Sequence, residues 1–167
     1  MKKISKMILA FFVGISLVAC SVPQDDFKEV DITVAEIQEK IDNKEDFVMI
    51  VERDECSFCE AIEEYINQTE GEHPGITLYK LDSTDFGFTS KDDGSQTLDS
   101  STDEGKAFLE IAPYFYYTPT MYVFKDGKIT SQLLDLVIQI KLLARWLDAP
   151  IDFDTAETQD LWEFISQ

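Results

Sequence analysis

Residues 47–59 read FVMIVERDECSFC and decide how the rest of the chain is interpreted. The first five are continuously apolar and are bounded by charged residues, a pattern typical of a strand buried on both faces. Residues 59–66 are predicted to form a helix. We therefore predict a buried strand, then the Cys56-Ser57-Phe58-Cys59 motif, and then a helix that starts at the motif.

The position of the two cysteines between strand and helix predicts a reactive pair. At a helix N-terminus, unpaired backbone N–H groups and the helix dipole favour a thiolate, here on Cys56. A thiol with a pKa of ~8.5 is only about 3% ionised at pH 7, and a pKa of ~7 makes about half of it thiolate. Cys59 follows about one helical turn later, near enough to attack a mixed disulfide on Cys56. Cys56 is therefore predicted to be the nucleophile and Cys59 the resolving thiol.

Weaker patterns predict the remaining elements. Helices are expected after an N-cap in residues 31–33, after a capping box that starts at Ser101 and ends at Glu104, and over residues 137–147. Strands are expected over residues 76–81, 120–124 and 129–134, the last two joined by an Asp-Gly turn. Residues 84–102 are polar and acidic, which predicts an enlarged surface loop.

A second motif, Tyr117-Thr118-Pro119-Thr120, comes directly before one of these strands. A buried strand, Cys-x-x-Cys, helix and strand, then Thr-Pro-Thr, an apolar strand and a Lys-Asp-Gly-Lys turn together resemble the thioredoxin superfamily. The resemblance implies an α/β, three-layer fold with a central mixed sheet flanked by helices. It also implies that Pro119 is cis and lies against the cysteine pair, and that Thr118 offers backbone groups to a bound substrate chain.

The chain departs from that family pattern around the cysteines. The buried strand carboxylate that assists proton transfer in typical thioredoxins falls at Ile50, and Glu52 is the candidate substitute. The Gly-Pro dipeptide between the cysteines is replaced by Ser57-Phe58. Negative charge crowds the pair, contributed by Asp54, Glu55 and Glu60. Because such charge disfavours a thiolate, it favours a reducing or isomerising role over an oxidising one.

The first twenty residues resemble a bacterial lipoprotein signal. Three lysines precede an apolar run over residues 7–19, which is short for a membrane span of ~20 residues. The run closes on Leu17-Val18-Ala19-Cys20, and the resemblance implies that cleavage leaves lipid on Cys20. We predict a signal peptide at 1–19, a lipidated tether at 20–29, and anchoring on the extracytoplasmic face of the cell membrane. The alternatives are an ordinary cleaved signal or a membrane-retained helix.

Charge and cysteine usage set further limits. The net charge of −19 becomes −22 once the three lysines of residues 1–19 are removed, which argues against nucleic-acid binding. Lipid on Cys20 accounts for the third cysteine and leaves Cys56 and Cys59 as a pair.

A thioredoxin-like domain is predicted over 30–149 and an acidic tail over 150–167. Four apolar residues of that tail are expected to pack back on the domain: Leu161, Trp162, Phe164 and Ile165.

Other readings of the cysteine pair have weaker support. A structural disulfide across so few residues closes a tiny loop and stabilises little. A zinc site would need two more ligands, and the single histidine, His73, has no Cys or His nearby in sequence. We predict no cofactor and no metal.

The predicted function is that of a membrane-anchored extracytoplasmic thiol–disulfide oxidoreductase. Its expected partners are disulfide-containing exported proteins or peptides and a membrane or extracellular thiol redox partner. The alternative is an exported accessory or chaperone-like binding protein for one dedicated client. Small lipid-anchored proteins that this chain resembles serve as accessory factors in bacteriocin production in Gram-positive bacteria, and an acidic surface suits a cationic peptide.

Overall fold

A computed structural model describes residues 25–134, 142–144, 147 and 149–167. The predicted signal peptide, Cys20 and the first part of the tether lie outside the described residues. Within the part that is described, no helix is long and apolar enough to cross a membrane.

The described part of the chain contains nine strands, four α-helices and two short 3-10 helices, Glu70–Glu72 and Thr84–Phe86. The strands are β1 (Lys28–Asp31), β2 (Phe47–Glu52), β3 (Thr77–Asp82), β4 (Phe88–Ser90), β5 (Leu98–Ser100), β6 (Thr120–Lys125), β7 (Lys128–Leu134), β8 (Leu142–Ala144) and β9 (Glu157–Gln159). The helices are α1 (Val34–Asp42), α2 (Ser57–Thr69), α3 (Asp103–Ile111) and α4 (Leu161–Ile165).

One mixed sheet organises the chain, with strand order β1-β3-β2-β6-β7-β8-β9. β1, β3 and β2 run parallel, whereas β6 pairs antiparallel with β2 and the following pairs remain antiparallel. β4 and β5 form a separate hairpin. The parallel β2 and β3 are joined through α2, as the predicted β–α–β unit requires.

The alternation of side chains along β2 divides the core between the two faces of the sheet. Phe47, Met49 and Val51 pack with α1 and α3 on one face. Ile50 packs on the other face with α2 and α4. Helices thus cover both faces of a mixed sheet, and the chain has the predicted thioredoxin-like three-layer α/β fold.

Caps and turns explain where the elements start and stop. Thr33 and Glu36 form a reciprocal capping box at α1. At α3 the N-cap is Thr102, one residue after the predicted Ser101, and its hydroxyl accepts from the Gly105 N–H at 3.0 Å. The N–H of Ser101 is instead bonded to the carbonyl of Gly87, which ties it to the preceding segment.

The predicted Asp-Gly turn joins β6 to β7. Asp126 and Gly127 both have positive φ, 49° and 70°, as a tight hairpin of this kind requires. The Asp126 N–H donates to the carboxylate of Asp46 at 2.8 Å. A Cβ on Gly127 would collide with the backbone carbonyl of Ile41, so this turn packs closely against the end of α1.

The helix predicted over residues 137–147 is wrong where the structure describes it. Residues 142–144 form β8, which pairs with β7 on one side and β9 on the other. Leucine and alanine are strong helix formers, so the local pattern favoured a helix. Strand partners on both sides satisfy the backbone of this segment instead. Apart from Leu147, the rest of the predicted helix lies outside the described residues.

Residues 150–167, predicted as an acidic tail, contribute β9 and α4 to the domain. The Asp160 carboxylate caps α4 by accepting from the N–H groups of Trp162 and Glu163 at 2.9 and 3.1 Å. The indole N–H of Trp162 donates to Thr69 Oγ1 at 3.0 Å. The predicted packing of four apolar residues on the domain is confirmed, since all are buried beside α2: Leu161, Trp162, Phe164 and Ile165.

Candidate active site

The two cysteines lie at the start of α2 and are joined by a disulfide bond. Cys56 is the N-cap residue of the helix, with an extended backbone (φ −110°, ψ 99°). The two Cα atoms are 5.2 Å apart, and each residue is 6% exposed. The sheet and the helix therefore hold the pair at the position that the strand–motif–helix pattern predicts.

Backbone groups of α2 face the sulfur of Cys56. The Cys59 N–H donates to Cys56 Sγ at 3.2 Å, using one of the donors that a helix start leaves without an intrahelical partner. In the reduced pair, this donor and the positive end of the helix dipole favour negative charge on that sulfur. The geometry thus favours Cys56 over Cys59 as the attacking thiolate.

The Thr-Pro motif lies against Cys56 in space. The Thr118–Pro119 peptide bond is cis, and Pro119 is buried. Thr118 Oγ1 donates to Cys56 Sγ at 3.5 Å, and the Thr118 carbonyl oxygen lies 3.6 Å from the same sulfur. Thr120 Oγ1 donates to the Tyr117 carbonyl at 2.6 Å, which closes the turn. The fold thus brings together the two motifs that the sequence singled out.

The segment between β2 and Cys56 is held by the residues that follow β3. The Asp54 N–H donates to Thr84 Oγ1, and the Ser83 N–H donates to the Glu52 carbonyl, both at 2.8 Å. Glu55, directly before Cys56, has φ of 54°, which costs a residue with a side chain about 1 kcal/mol. These contacts fix the sharp reversal that delivers Cys56 to the helix start.

One side of the pair opens onto a cavity of about 250 Å³, which we call the acidic cavity. Its walls include both cysteines and two basic residues, Arg53 and Lys80. Seven acidic residues complete the lining: Asp31, Glu52, Asp54, Glu55, Glu60, Glu63 and Asp82. The negative charge that the sequence predicted around the cysteines is therefore concentrated on this side.

Lys80 forms ion pairs with three glutamates at this side of the site. Its Nζ lies 3.3 Å from Glu63, 3.4 Å from Glu52 and 3.7 Å from Glu29. Burial by itself lowers the pKa of Lys80, but the attraction of the carboxylates outweighs it and raises that pKa overall. Burial raises the pKa of Glu52 and of Glu29, and the nearby Lys80 charge offsets this only in part.

Glu52 and Lys80 meet because β2 and β3 run parallel in a fixed register. Ile50 occupies the position at which the resemblance places a buried carboxylate. It is 1% exposed in the core and pairs in register with Lys80 on β3. Glu52 is two residues further along the same face of β2, and it lines the acidic cavity with Cys59. Lys80 was not among the predicted site residues. It follows Leu78 by two residues, so the alternation along β3 would have placed it on the same inward face as that apolar residue.

His73, the histidine considered as a zinc ligand, packs against an aromatic side chain of α4. Its ring stacks on Trp162 with 4.0 Å between centroids. Among the described residues, no group of three or more His, Cys, Asp or Glu side chains is arranged to hold a metal ion.

Known proteins resemble this chain in structure more than in sequence. No protein-family model and no curated protein matches the chain. It is similar to the solved thioredoxin O2 from Arabidopsis thaliana at 20% identity, covering 66% of this chain and 84% of that one, with a TM-score of 0.41. It is similar to thioredoxin F from spinach chloroplast at 13% identity (64% and 80% covered, TM-score 0.42). It is similar to a thioredoxin from Trypanosoma brucei brucei at 16% identity, covering 63% of this chain and 76% of that one, with a TM-score of 0.42.

Proposed function

We propose that this chain is a membrane-anchored, extracytoplasmic thiol–disulfide oxidoreductase that reduces or isomerises disulfides in exported proteins or peptides. The observation that carries the proposal is the Cys56–Cys59 disulfide at the start of α2, with Cys56 Sγ against Thr118. A pair of thiols that closes into one disulfide releases two electrons, and it takes them up again when the disulfide is reduced.

The reaction begins with the reduced pair. The Cys56 thiolate attacks one sulfur of the client disulfide, and the other client sulfur leaves as a thiolate that takes up a proton. Cys59 then loses its proton and attacks Cys56 Sγ, which breaks the bond to the client and forms the Cys56–Cys59 disulfide. The client gains two electrons and the protein loses two. A dithiol electron donor must then reduce the pair again.

Isomerisation uses the same first step. Before Cys59 acts, the released client thiolate attacks a second client disulfide, forms a new client disulfide and displaces a new client thiolate. That thiolate attacks the client sulfur bonded to Cys56, so a second rearranged disulfide forms and Cys56 leaves as a thiolate. No electrons are exchanged overall, so this branch needs no donor.

Glu52 is the candidate to accept the proton of Cys59. Both residues line the acidic cavity, and burial raises the pKa of Glu52, which brings its basicity closer to neutral pH. Glu52→Gln is therefore expected to slow release of the client from the mixed disulfide and to change the pH profile of that step. Unchanged release across the pH range would exclude this role.

The catalytic test uses the full-length protein and a peptide disulfide with dithiothreitol as donor. Cys56→Ser is expected to abolish reduction, because no mixed disulfide can form through serine. Cys59→Ser, reduced beforehand and then freed of dithiothreitol, is the matched variant and is expected to accumulate a stable mixed disulfide with the client. Wild-type rates in Cys56→Ser, or no trapped client with Cys59→Ser, would refute the assignment.

Membrane anchoring is supported by the lipoprotein-like signal that ends at Cys20. Several acyl chains give stable anchoring, since each buried methylene contributes ~0.8 kcal/mol. A labelled fatty acid is expected to be incorporated into the wild type and not into Cys20→Ala, with Cys56→Ala as the control that keeps the label. Persistent labelling of Cys20→Ala would contradict the anchor.

A binding role for one dedicated cationic client is the second candidate, favoured by the seven acidic residues of the acidic cavity. Binding of that kind persists in the Cys56→Ser/Cys59→Ser double variant and weakens with added salt. Loss of cationic-peptide binding in the double variant would contradict the binding role, since it would show that the peptide is held through the cysteines.

A further inference from the structure

Residues 84–102 include a β-hairpin beside the reactive pair, whereas the sequence predicted a polar surface loop. β4 and β5 pair antiparallel, and Phe88 packs against Phe86 and Phe115 with 5.5 Å between ring centroids in each pair. Ser100 Oγ donates to the Phe86 carbonyl at 2.6 Å. Gly87 has φ of 61°, and a Cβ there would collide with the Ser101 hydroxyl. The hairpin is therefore attached to the core.

A groove of about 630 Å³ lies between this hairpin and the cysteines, and we call it the hairpin groove. Its lining comes from three separate parts of the chain, residues 53–58, 83–98 and 115–118. Cys56 and Thr118 are among the lining residues. Whatever occupies the groove therefore lies next to the sulfur that is proposed to attack.

The hairpin groove differs chemically from the acidic cavity. Its lining includes Phe58, Phe88, Leu98, Tyr116 and Tyr117, all half-buried. Among the residues that the structure describes, the only charged ones in its lining are Arg53 and Glu55. One side of the cysteine pair is thus acidic and the other is largely aromatic.

The aromatic wall is held in place before any client arrives. The hydroxyls of Ser90 and Tyr116 are hydrogen-bonded at 3.0 Å, which joins β4 to the segment before Thr118. The Tyr116 ring packs edge-on against Tyr117 with 4.9 Å between centroids. A groove that is already formed loses less entropy when it binds a ligand.

We propose that the hairpin groove binds a client polypeptide segment with a large apolar or aromatic side chain adjacent to the reacting cysteine, so that the β4–β5 hairpin determines which disulfides are attacked. This inference rests on the proposed oxidoreductase function and names its substrate class. Burial of one large apolar side chain corresponds to a preference of about tenfold to hundredfold.

The test uses two short peptides that differ only in the residue before their single cysteine, phenylalanine in one and serine in the other. The cysteine is capped as a disulfide with 2-mercaptoethanol, and bis(2-hydroxyethyl) disulfide serves as a small reference substrate. With dithiothreitol as the electron donor and its uncatalysed rate subtracted, the full-length wild type is expected to favour the phenylalanine peptide in kcat/KM by about tenfold or more.

Two substitutions on β4 test whether the preference for the phenylalanine peptide depends on the hairpin groove. Ser90→Trp fills the groove and is expected to reduce the preference, relative to the reference disulfide, to below about threefold. Thr89→Trp is the matched control, because Thr89 is exposed and lies outside the groove lining. It is expected to keep the preference within twofold of wild type. Tyr116→Ala removes one wall of the groove and gives a second variant with the same expected loss.

A binding measurement keeps the two proposals distinguishable. The same peptides with serine in place of cysteine are titrated into the oxidised protein, where no exchange can occur. A preference in binding without any Cys56-dependent reduction would overturn the redox function and support the groove. Reduction of both peptides at equal rates, or an unchanged preference in Ser90→Trp and Tyr116→Ala, would overturn the groove alone.

Discussion

Replacing Lys80 by methionine removes the cation that three glutamates share beside the cysteine pair. Lys80 and Glu52 are only 20% and 16% exposed, so their attraction is weakly screened. At about 3.4 Å and an effective dielectric constant of ~20, one such pair has a gross attraction of about 5 kcal/mol, most of it offset by desolvation. Glu63 is 50% exposed and contributes little. We expect Lys80→Met to lower the free energy of unfolding by about 2–3 kcal/mol at pH 7.

The pH dependence makes this prediction specific. Burial already raises the pKa of Glu29 and Glu52 above the ordinary value, and removal of Lys80 raises both further. A carboxyl with a raised folded-state pKa stabilises the fold at low pH, and this stabilisation is lost as pH rises through that pKa. In Lys80→Met the loss should therefore shrink to below about 1 kcal/mol near pH 4, where both carboxyls are protonated.

Urea unfolding of the oxidised protein, followed by tryptophan fluorescence at pH 4 and pH 7, measures both values. Lys106→Met is the matched control, because it removes the same charge from an exposed pair, 3.7 Å from Asp103. It should change the unfolding free energy by less than about 0.5 kcal/mol at either pH. An equal loss for Lys80→Met at both pH values would refute the reasoning, since it would mean that lost packing and not unpaired carboxylates causes the effect.

Three further substitutions test other parts of the structure. The buried Tyr122 hydroxyl has no hydrogen-bond partner in the described structure, so Tyr122→Phe should raise the unfolding free energy by about 1 kcal/mol in urea titrations. Gly127→Ala should lower the melting temperature, with a loss of about 2 kcal/mol, because positive φ and the Ile41 carbonyl both oppose a Cβ. Trp162→Phe removes the hydrogen bond to Thr69 and should cost about 1–2 kcal/mol, measured by calorimetry against Glu163→Gln on the exposed side of the same helix.

The elements around the cysteines were predictable because their signals are local. Residues 47–51 are a continuous apolar run, and a strand buried on both faces needs one. The position of Cys56 at a helix start follows from its place directly after that strand. The cis bond before Pro119 was implied by the resemblance and not by any local preference, since most X–Pro bonds are trans.

The features that were missed depend on contacts between distant segments. Glu52 was identified as a candidate, but its pairing with Lys80 arises only from the register of two parallel strands. β4 and β5 are three residues each and contain one apolar residue apiece, Phe88 and Leu98, so the local pattern is too short to distinguish them from a loop. Residues 142–144 carry a helical pattern and become a strand because partners exist on both sides. In each of these places tertiary pairing outweighed local propensity.

The strand β1 ends the sheet and pairs with β3 alone in the described part of the chain. All four of its residues are at least partly exposed, and three are charged: Lys28, Glu29 and Asp31. An open strand edge is a template on which a second molecule can add a strand, and charge along it discourages such addition. Copies held on a membrane by the proposed lipid anchor would be crowded in two dimensions, where collisions between neighbours are frequent. The chemistry of this edge is therefore expected to keep adjacent molecules separate and their cysteine pairs accessible.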